Sequence, residues 1–371
     1  MLNPDKSRAI RTDIAEVVSS DFGELEVLRK DVRDLRSLVQ KIQPRNATAV
    51  SLVGTDGGNN HVTYDPFSVH VIRVVDSSGN DLWLEAVTPS TSIEKINAKH
   101  FAPNGKPLSP LGRMLKYMKL ESLQGLGGVF RNEEARGTSW IQEYRGALEW
   151  ASLFELVRER DYGADVLIVR DGPLREKMFG KYFRELRQGL VEAIDGHLQK
   201  SRRRVYIAGV IKHSTVLQKY RLALALEGVL RTHYPCFSEV PVDMLRKTFD
   251  RWPEWIENMP GEEQFVAGKM FMVKFGSEPW DPVWIVDVFD AQVQEAGKVL
   301  GYMLNDALSG FPVPFYPRCL QRAHDAAALV GFDQDIFQLA IEDALRSALK
   351  EKGSVIDKLA LQEADIAQQR Y

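Results

Sequence analysis

Cysteine is nearly missing: Cys236 and Cys319 are the two among 371 residues. They share no CxxC spacing, so neither a disulfide framework nor a zinc knuckle organises the chain. That usage fits a reducing, cytoplasmic setting. No apolar run reaches the roughly 20 residues of a membrane span. The opening MLNPDKSRAIRTDIAEV is too polar for a signal peptide. Charge of one sign is lacking too: 48 Lys and Arg face 51 Asp and Glu, a net charge of -3. Without a basic coat, any nucleic-acid contact must come from local basic stretches. There is no GxxxxGK[ST], so a nucleotide-driven motor has to come from another protein. Internal repeats and low-complexity segments are absent. What remains is 44% hydrophobic and 27% charged, enough for one large domain or a core with appendages.

The first 44 residues read as helix. Leu25, Leu28, Val32, Leu35, Val39 and Ile42 alternate spacings of three and four, and Pro44 stops the helix. This seam is expected to pack on its own domain or on a twin subunit. ATAVSLVGTDGG reads as a strand ending at Asp56. PFSVHVIRVVDSSGNDLWLEAVTP reads as a hairpin turning at Ser77–Asn80. Residues Ser90 to Glu134 look irregular, with a short amphipathic helix in RMLKYMKLESL. TSWIQEYRGALEWASLFELVRERD is a long helix, capped by Thr138 or Ser139. ADVLIVRDG is a buried strand ending in Asp171. A helix from about Leu174 to Lys200 leaves through the basic KSRRR, and VYIAGVIKHS is a strand ending at Lys212. In the second half, PVDMLRKTFDRWPEWIENMPGEE reads as a surface excursion. FVAGKMFMVKFG and DPVWIVDVFD read as strands. Helices are expected from Glu295, near His324, and from Gln334 to Lys352. The expected organisation is an N-terminal helical segment (1–44), a main domain (45–350) with an insertion at about 232–262, and a tail (351–371).

Asp56 and Asp171 each follow an apolar strand and precede a glycine. Alone, each such pair is more often a turn than a ligand. Glu143 alone reads as an exposed helix charge, and His324 as a partly buried helix residue. Together, in the order three strands, helix, strand, helix, strand, they point elsewhere. That order belongs to the ribonuclease-H-like fold, an α/β mixed sheet flanked by helices. The fold carries acids at the first strand's end, on the first helix, at the fourth strand's end and on a late helix. Close carboxylates repel. A hard divalent cation held by oxygen ligands resolves the repulsion. Two such ions ~4 Å apart are the usual apparatus for cutting a phosphodiester. Lys212 reads as a cation on the scissile phosphate or on a carboxylate, or as a solvated cap to the sheet. Tyr316 reads as core packing, or as stacking on a base.

The ordered set GTDGG, EYRGAL, VLIVRDGPL, IAGVIKHS and YPRCLQRAH resembles the NurA nucleases over roughly Val50 to Gly331. The resemblance implies a manganese-dependent (or magnesium-dependent) deoxyribonuclease with single-strand endonuclease and 5′-to-3′ exonuclease activity. It further implies a homodimer working on DNA ends with a hexameric HerA-type ATPase, in repair or in defence against phage, with no membrane partner. By motif, it implies that Asp56, Glu143, Asp171 and His324 hold metal and that Lys212 and Tyr316 join the catalytic set. Gly58 stands where the family motif usually has serine, and Glu149 rivals Glu143 as the helix ligand. The other reading is a catalytically inactive DNA-binding or adaptor subunit of a motor complex.

Overall fold

The computed structural model describes residues 3–45, 50–64, 67–131, 137–249, 265–329, 331–350 and 353, without the side chains at 4–5, 50–64, 67, 331–332 and 334. Nine strands lie within this part: β1 (Gln40–Lys41), β2 (Val50–Tyr64), β3 (Phe67–Asp76), β4 (Asp81–Val87), β5 (Asp165–Asp171), β6 (Val205–Ile211), β7 (Cys236–Glu239), β8 (Gly268–Lys274) and β9 (Val283–Phe289). The helices are α1 (Pro4–Ser20), α2 (Phe22–Arg33), α3 (Ile93–His100), α4 (Pro110–Tyr117), α5 (Ser139–Glu159), α6 (Phe183–Ser201), α7 (Thr215–Leu226), α8 (Val242–Thr248), α9 (Ala296–Leu308), α10 (Arg318–Ala327) and α11 (Gly331–Leu349).

The run VLIV within DVLIVRD and the run VYIAGVI carry no charge, as strands buried on both faces require. They form β5 and β6, paired in parallel from Val166↔Val205 to Asp171↔Val210. β2 runs parallel on the other flank of β5, from Val50↔Asp165 to Thr55↔Arg170. β3 is antiparallel to β2 and β4 to β3. The sheet order is β1-β7-β8-β9-β6-β5-β2-β3-β4. Its segment β4-β3-β2-β5-β6 is the ribonuclease-H-like arrangement expected from the sequence: an antiparallel trio, then two parallel strands each reached through a helix. β9, β8, β7 and β1 widen the sheet on the far side.

Side-chain alternation sorts the core into two layers. Val166, Ile168, Val205 and Ile207 pack with Trp140, Ile141 and Tyr144 of α5. Leu167, Val169, Tyr206, Ala208 and Val210 pack on the other face with Val299, Leu300 and Met303 of α9. A third cluster joins Val32 and Leu35 to Val216, Tyr220 and Leu224 around α7. The N-terminal seam therefore docks on its own domain.

The structure corrects several expectations. The N-terminal helix does not run to Pro44. α2 ends at Arg33, a 3-10 turn spans Asp34–Leu38, and Gln40–Lys41 joins the sheet edge against Phe237 and Cys236. Val39 and Ile42 keep the heptad spacing, but they lie beyond the helix, around that edge strand. β2 does not end at Asp56. Its pairing with β5 stops after Thr55, while its ladder with β3 continues to Tyr64↔Phe67. The start of the supposed surface excursion is built into the body: α8 buries Met244, Leu245 and Thr248. Within the expected insertion, residues 250–262 lie outside the described residues.

A buried polar chain ties the β4 side of the sheet to α3, α4 and α5. His100 Nδ1 meets Ser109 Oγ at 2.6 Å and His100 Nε2 meets Tyr144 Oη at 2.7 Å. Tyr144 Oη donates to Glu85 Oε2 at 2.6 Å, and Lys99 Nζ donates to Glu85 Oε1 at 2.6 Å. Burial pushes the His100 imidazole down from 6.5 to about 4. The folded chain thus keeps a neutral histidine where the unfolded chain takes up a proton. Stability from this group is full above pH 6.5 and is lost as pH falls towards 4. Urea unfolding across that interval should show this decline, and His100→Gln, though less stable throughout, should flatten it.

Candidate active site

Three of the six residues singled out in the sequence meet at the end of β5. Tyr316 Oη donates to Asp171 Oδ1 at 3.0 Å. Lys212 Nζ lies 2.6 Å from Asp171 Oδ2 and 5.1 Å from the centre of the Tyr316 ring. The Trp284 indole packs edge-on against the same ring at 4.9 Å. Tyr316 is fully buried, whereas Lys212 keeps a third of its side chain open to solvent.

Local sequence explains this convergence. Asp171 pairs with Val210, and Lys212 stands two residues further, so the pleat sends both to the α9 face. Gly172 turns the chain at φ +131°, and at Gly209 a Cβ would lie 2.3 Å from the Gly172 carbonyl oxygen. The turn after Asp171 thus needs glycine both in itself and in the strand beneath it. The segment that follows is pinned to β9. The buried Asp287 carboxylate accepts from Leu174 N at 3.0 Å and pairs with Arg175 Nη2 at 3.0 Å. Tyr316 is held by Gln321, whose Nε2 donates to the Tyr316 carbonyl at 2.9 Å while its Oε1 accepts from Val313 N at 2.9 Å. Sequence reading missed Gln321, Asp287 and Trp284. Only an apolar run interrupted by one acid, VWIVDVF, marked Asp287 in advance.

Asp56 follows Thr55, the last partner of β5. Its backbone therefore falls level with Asp171 across the parallel pair; its side chain lies outside the described residues. α10, which carries His324, packs on the β2–β3 side, with Ala323 and Ala327 against Val75. His324 itself is exposed near the helix end.

Glu143 lies on α5, against the opposite face of the sheet from Asp171. It is half-buried, and burial raises its pKa. Its charge is felt by Glu176, whose pKa is raised first by burial and further by Glu143, with Arg170 opposing. Glu176, five residues after Asp171 in DGPLRE, is a neighbour of Glu143 that sequence reading did not single out. Glu149, the rival of Glu143, is engaged elsewhere: Arg170 Nη2 bonds its Oε2 at 2.9 Å and Arg145 Nε lies 3.2 Å from its Oε1. Arg170 and Asp171 are adjacent in the chain and serve opposite faces. Among the described residues no three His, Cys, Asp or Glu side chains gather at one point, so Glu143, Asp171 and His324 do not close a ligand set by themselves.

These environments separate the two helix acids by stability. Glu149→Ala leaves the buried Arg170 uncompensated and should lower urea-unfolding stability by roughly 3 kcal/mol. A carboxylate raised by burial loses its stabilising share as pH climbs through its folded pKa. Glu143→Gln should therefore equal or exceed the parent stability at pH 7 in the same measurement.

No family model matches the chain, and no match is found among curated proteins. Solved structures do resemble it. The NurA nuclease from Sulfolobus solfataricus is 13% identical, with 92% of this chain and 98% of that one covered and a TM-score of 0.44. A NurA structure with manganese is 12% identical over 91% and 98% of the two chains, TM-score 0.40. A NurA structure bound to dAMP and manganese is 11% identical over 86% and 94%, TM-score 0.39.

Proposed function

We propose that this chain is a divalent-metal-dependent deoxyribonuclease centred on Asp171. The observation that carries the reading is the meeting of Asp171, Lys212 and Tyr316 at the end of the central parallel strands, level with Asp56. A strand-end carboxylate, backed by a lysine and a tyrosine and open to solvent on the lysine side, suits a phosphodiester better than a neutral substrate.

Asp56 and Asp171 offer hard oxygen donors at matching positions of adjacent strands, a donor chemistry that fits manganese or magnesium. In this reading they would hold the cation, and Glu143, from the α5 face, and His324, from α10, would join the set only from beyond the ends of the strands. When bound, the cation would supply the positive charge that favours ionisation of a water and offsets charge on a leaving oxygen. The chain's own residues do the rest. Tyr316 orients Asp171 through the bond to Oδ1. Lys212 offsets the carboxylate charge at rest and turns to the phosphate when DNA enters. A buried tyrosine clamped by Gln321 keeps this geometry from relaxing.

The fuller reading adds single-strand endonuclease and 5′-to-3′ exonuclease action on DNA ends, a second copy of this chain, and a HerA-type ATPase hexamer, in repair or phage defence. The absence of a nucleotide-binding P-loop supports an external motor. No helix among the described residues is long and apolar enough to cross a membrane.

Labelled single-stranded DNA incubated with the protein and manganese or magnesium tests the centre. The parent protein should cut it. Asp171→Asn and Asp56→Ala should each reduce the rate on the order of a hundredfold or more. Tyr316→Phe, which removes an orienting bond, should reduce it roughly tenfold to a hundredfold. Equal cutting by parent and Asp171→Asn would overturn the assignment of the centre, and no cutting by the parent would leave the inactive adaptor as the reading.

A further inference from the structure

Beside Lys212 opens a cavity of about 580 Å³, lined among others by Leu217, Arg221, Arg231, Trp280 and Trp284. Its volume falls within the roughly 300–1,000 Å³ of small-ligand sites. It shares two residues with the candidate centre. Lys212 forms part of its wall, and Trp284 is the ring against which Tyr316 packs. Trp280 is 71% exposed, an unusual position for a large aromatic ring. The Arg231 guanidinium stacks over Trp280 at 3.5 Å from the ring centre.

The cavity is built rather than incidental. Lys274 is completely buried and donates through Nζ to the Thr232 carbonyl at 2.6 Å and the Glu278 carbonyl at 2.9 Å. One ammonium thus ties together the two loops that carry Arg231 and Trp280. Asp281, the one acid on the wall, accepts from Glu278 N at 2.7 Å and braces the Trp280 loop internally. Burial lowers the Lys274 pKa, a cost that the two carbonyl bonds offset. Among the described residues the lining thus carries Arg221 and Arg231, with Lys212 held by Asp171 at 2.6 Å, against one acid of its own, Asp281, in a chain whose net charge is -3.

Flat aromatic rings beside cations are what a single nucleic-acid strand requires. Bases stack on the rings without sequence preference, and cations follow the phosphates. We infer that this cavity is a nucleotide subsite of the nuclease proposed above. It holds an unpaired base against Trp280 and Trp284, and Arg221 and Arg231 lead the phosphate backbone to Lys212 and Asp171. A duplex base pair does not present a free face to such a pocket, so the subsite selects single strands or frayed ends.

Binding and cutting separate this inference from the reading on which it rests. Fluorescein-labelled oligothymidine is titrated in EDTA, by anisotropy, against the parent, Trp280→Ala and Arg221→Ala/Arg231→Ala. All three substituted side chains are exposed, and circular dichroism verifies that the variants fold. Trp280→Ala should weaken binding about fivefold or more, the loss of one stack. The double variant should weaken it further and reduce the slope of affinity against salt by about two phosphates. Duplex of the same length should bind more weakly, with no effect of Trp280→Ala. Parent-like binding by every variant, in a protein that still cuts DNA, would overturn the subsite and spare the nuclease. Weakened binding with no cutting by the parent would do the reverse. A lower mass in solution for the variants, with unchanged oligonucleotide affinity, would show that the pocket receives a second copy of this chain and would also overturn the subsite.

Discussion

The parallel register of β2, β5 and β6 is the constraint on which the candidate centre depends. Parallel neighbours in register present matching residues at one level of the sheet. Once Val166 faces Val205 and Val50 faces Asp165, the positions of Asp56, Asp171 and Lys212 are fixed to within a residue or two. No loop has to deliver these groups. Their placement draws on the burial of β5 and β6, whose side chains carry the core on both faces. A slip of one residue would exchange Arg170 for Asp171 on the α9 face and put a guanidinium where the carboxylate stands.

That alternation also divides the electrostatics. On the α5 side, Arg170 is consumed by Glu149 and by the Pro173 carbonyl, 2.6 Å from Nη1. On the α9 side, Asp171 is met by Lys212 and Tyr316. The first arrangement, the Arg170–Glu149 pair, is closed, because both side chains are nearly inaccessible, although Arg145 reaches Glu149 from the surface. The second has one partner reaching solvent. A charge pair with an open cation can exchange that cation's partner for a substrate anion, whereas a closed pair only holds structure.

The sequence made much of this legible, and the failures share a cause. The order of strands and helices and the Asp171 strand end follow from local runs with strong periodicity, whereas Lys212 and Tyr316 joined the set only through the resemblance of their motifs. GTDGG misled because the same letters that make a turn after β5 make a continuing ladder in β2. The difference is the presence of β3 as a partner, a non-local fact. Val39 and Ile42 misled because apolar spacing of three or four cannot by itself exclude an edge strand. Glu143 and Glu149 could not be separated by reading one helix. What distinguishes them is Arg170, which arrives from a strand about twenty residues on.

The cavity beside Lys212 follows the same logic at a greater sequence distance. Its walls come from α7, from the loop after it and from the β8–β9 connection, so no local motif announces it. Lys274 makes the connection. A fully buried ammonium loses its hydration on folding and is tolerated only where backbone carbonyls replace the water. Here two carbonyls do so, from loops on either side of the cavity. Replacing this lysine with an apolar side chain of similar length would leave those carbonyls unpaired and let the loops part. The cavity's shape is thus specified by an interaction in which its own lining takes no part, as expected of a preorganised surface rather than a gap in packing.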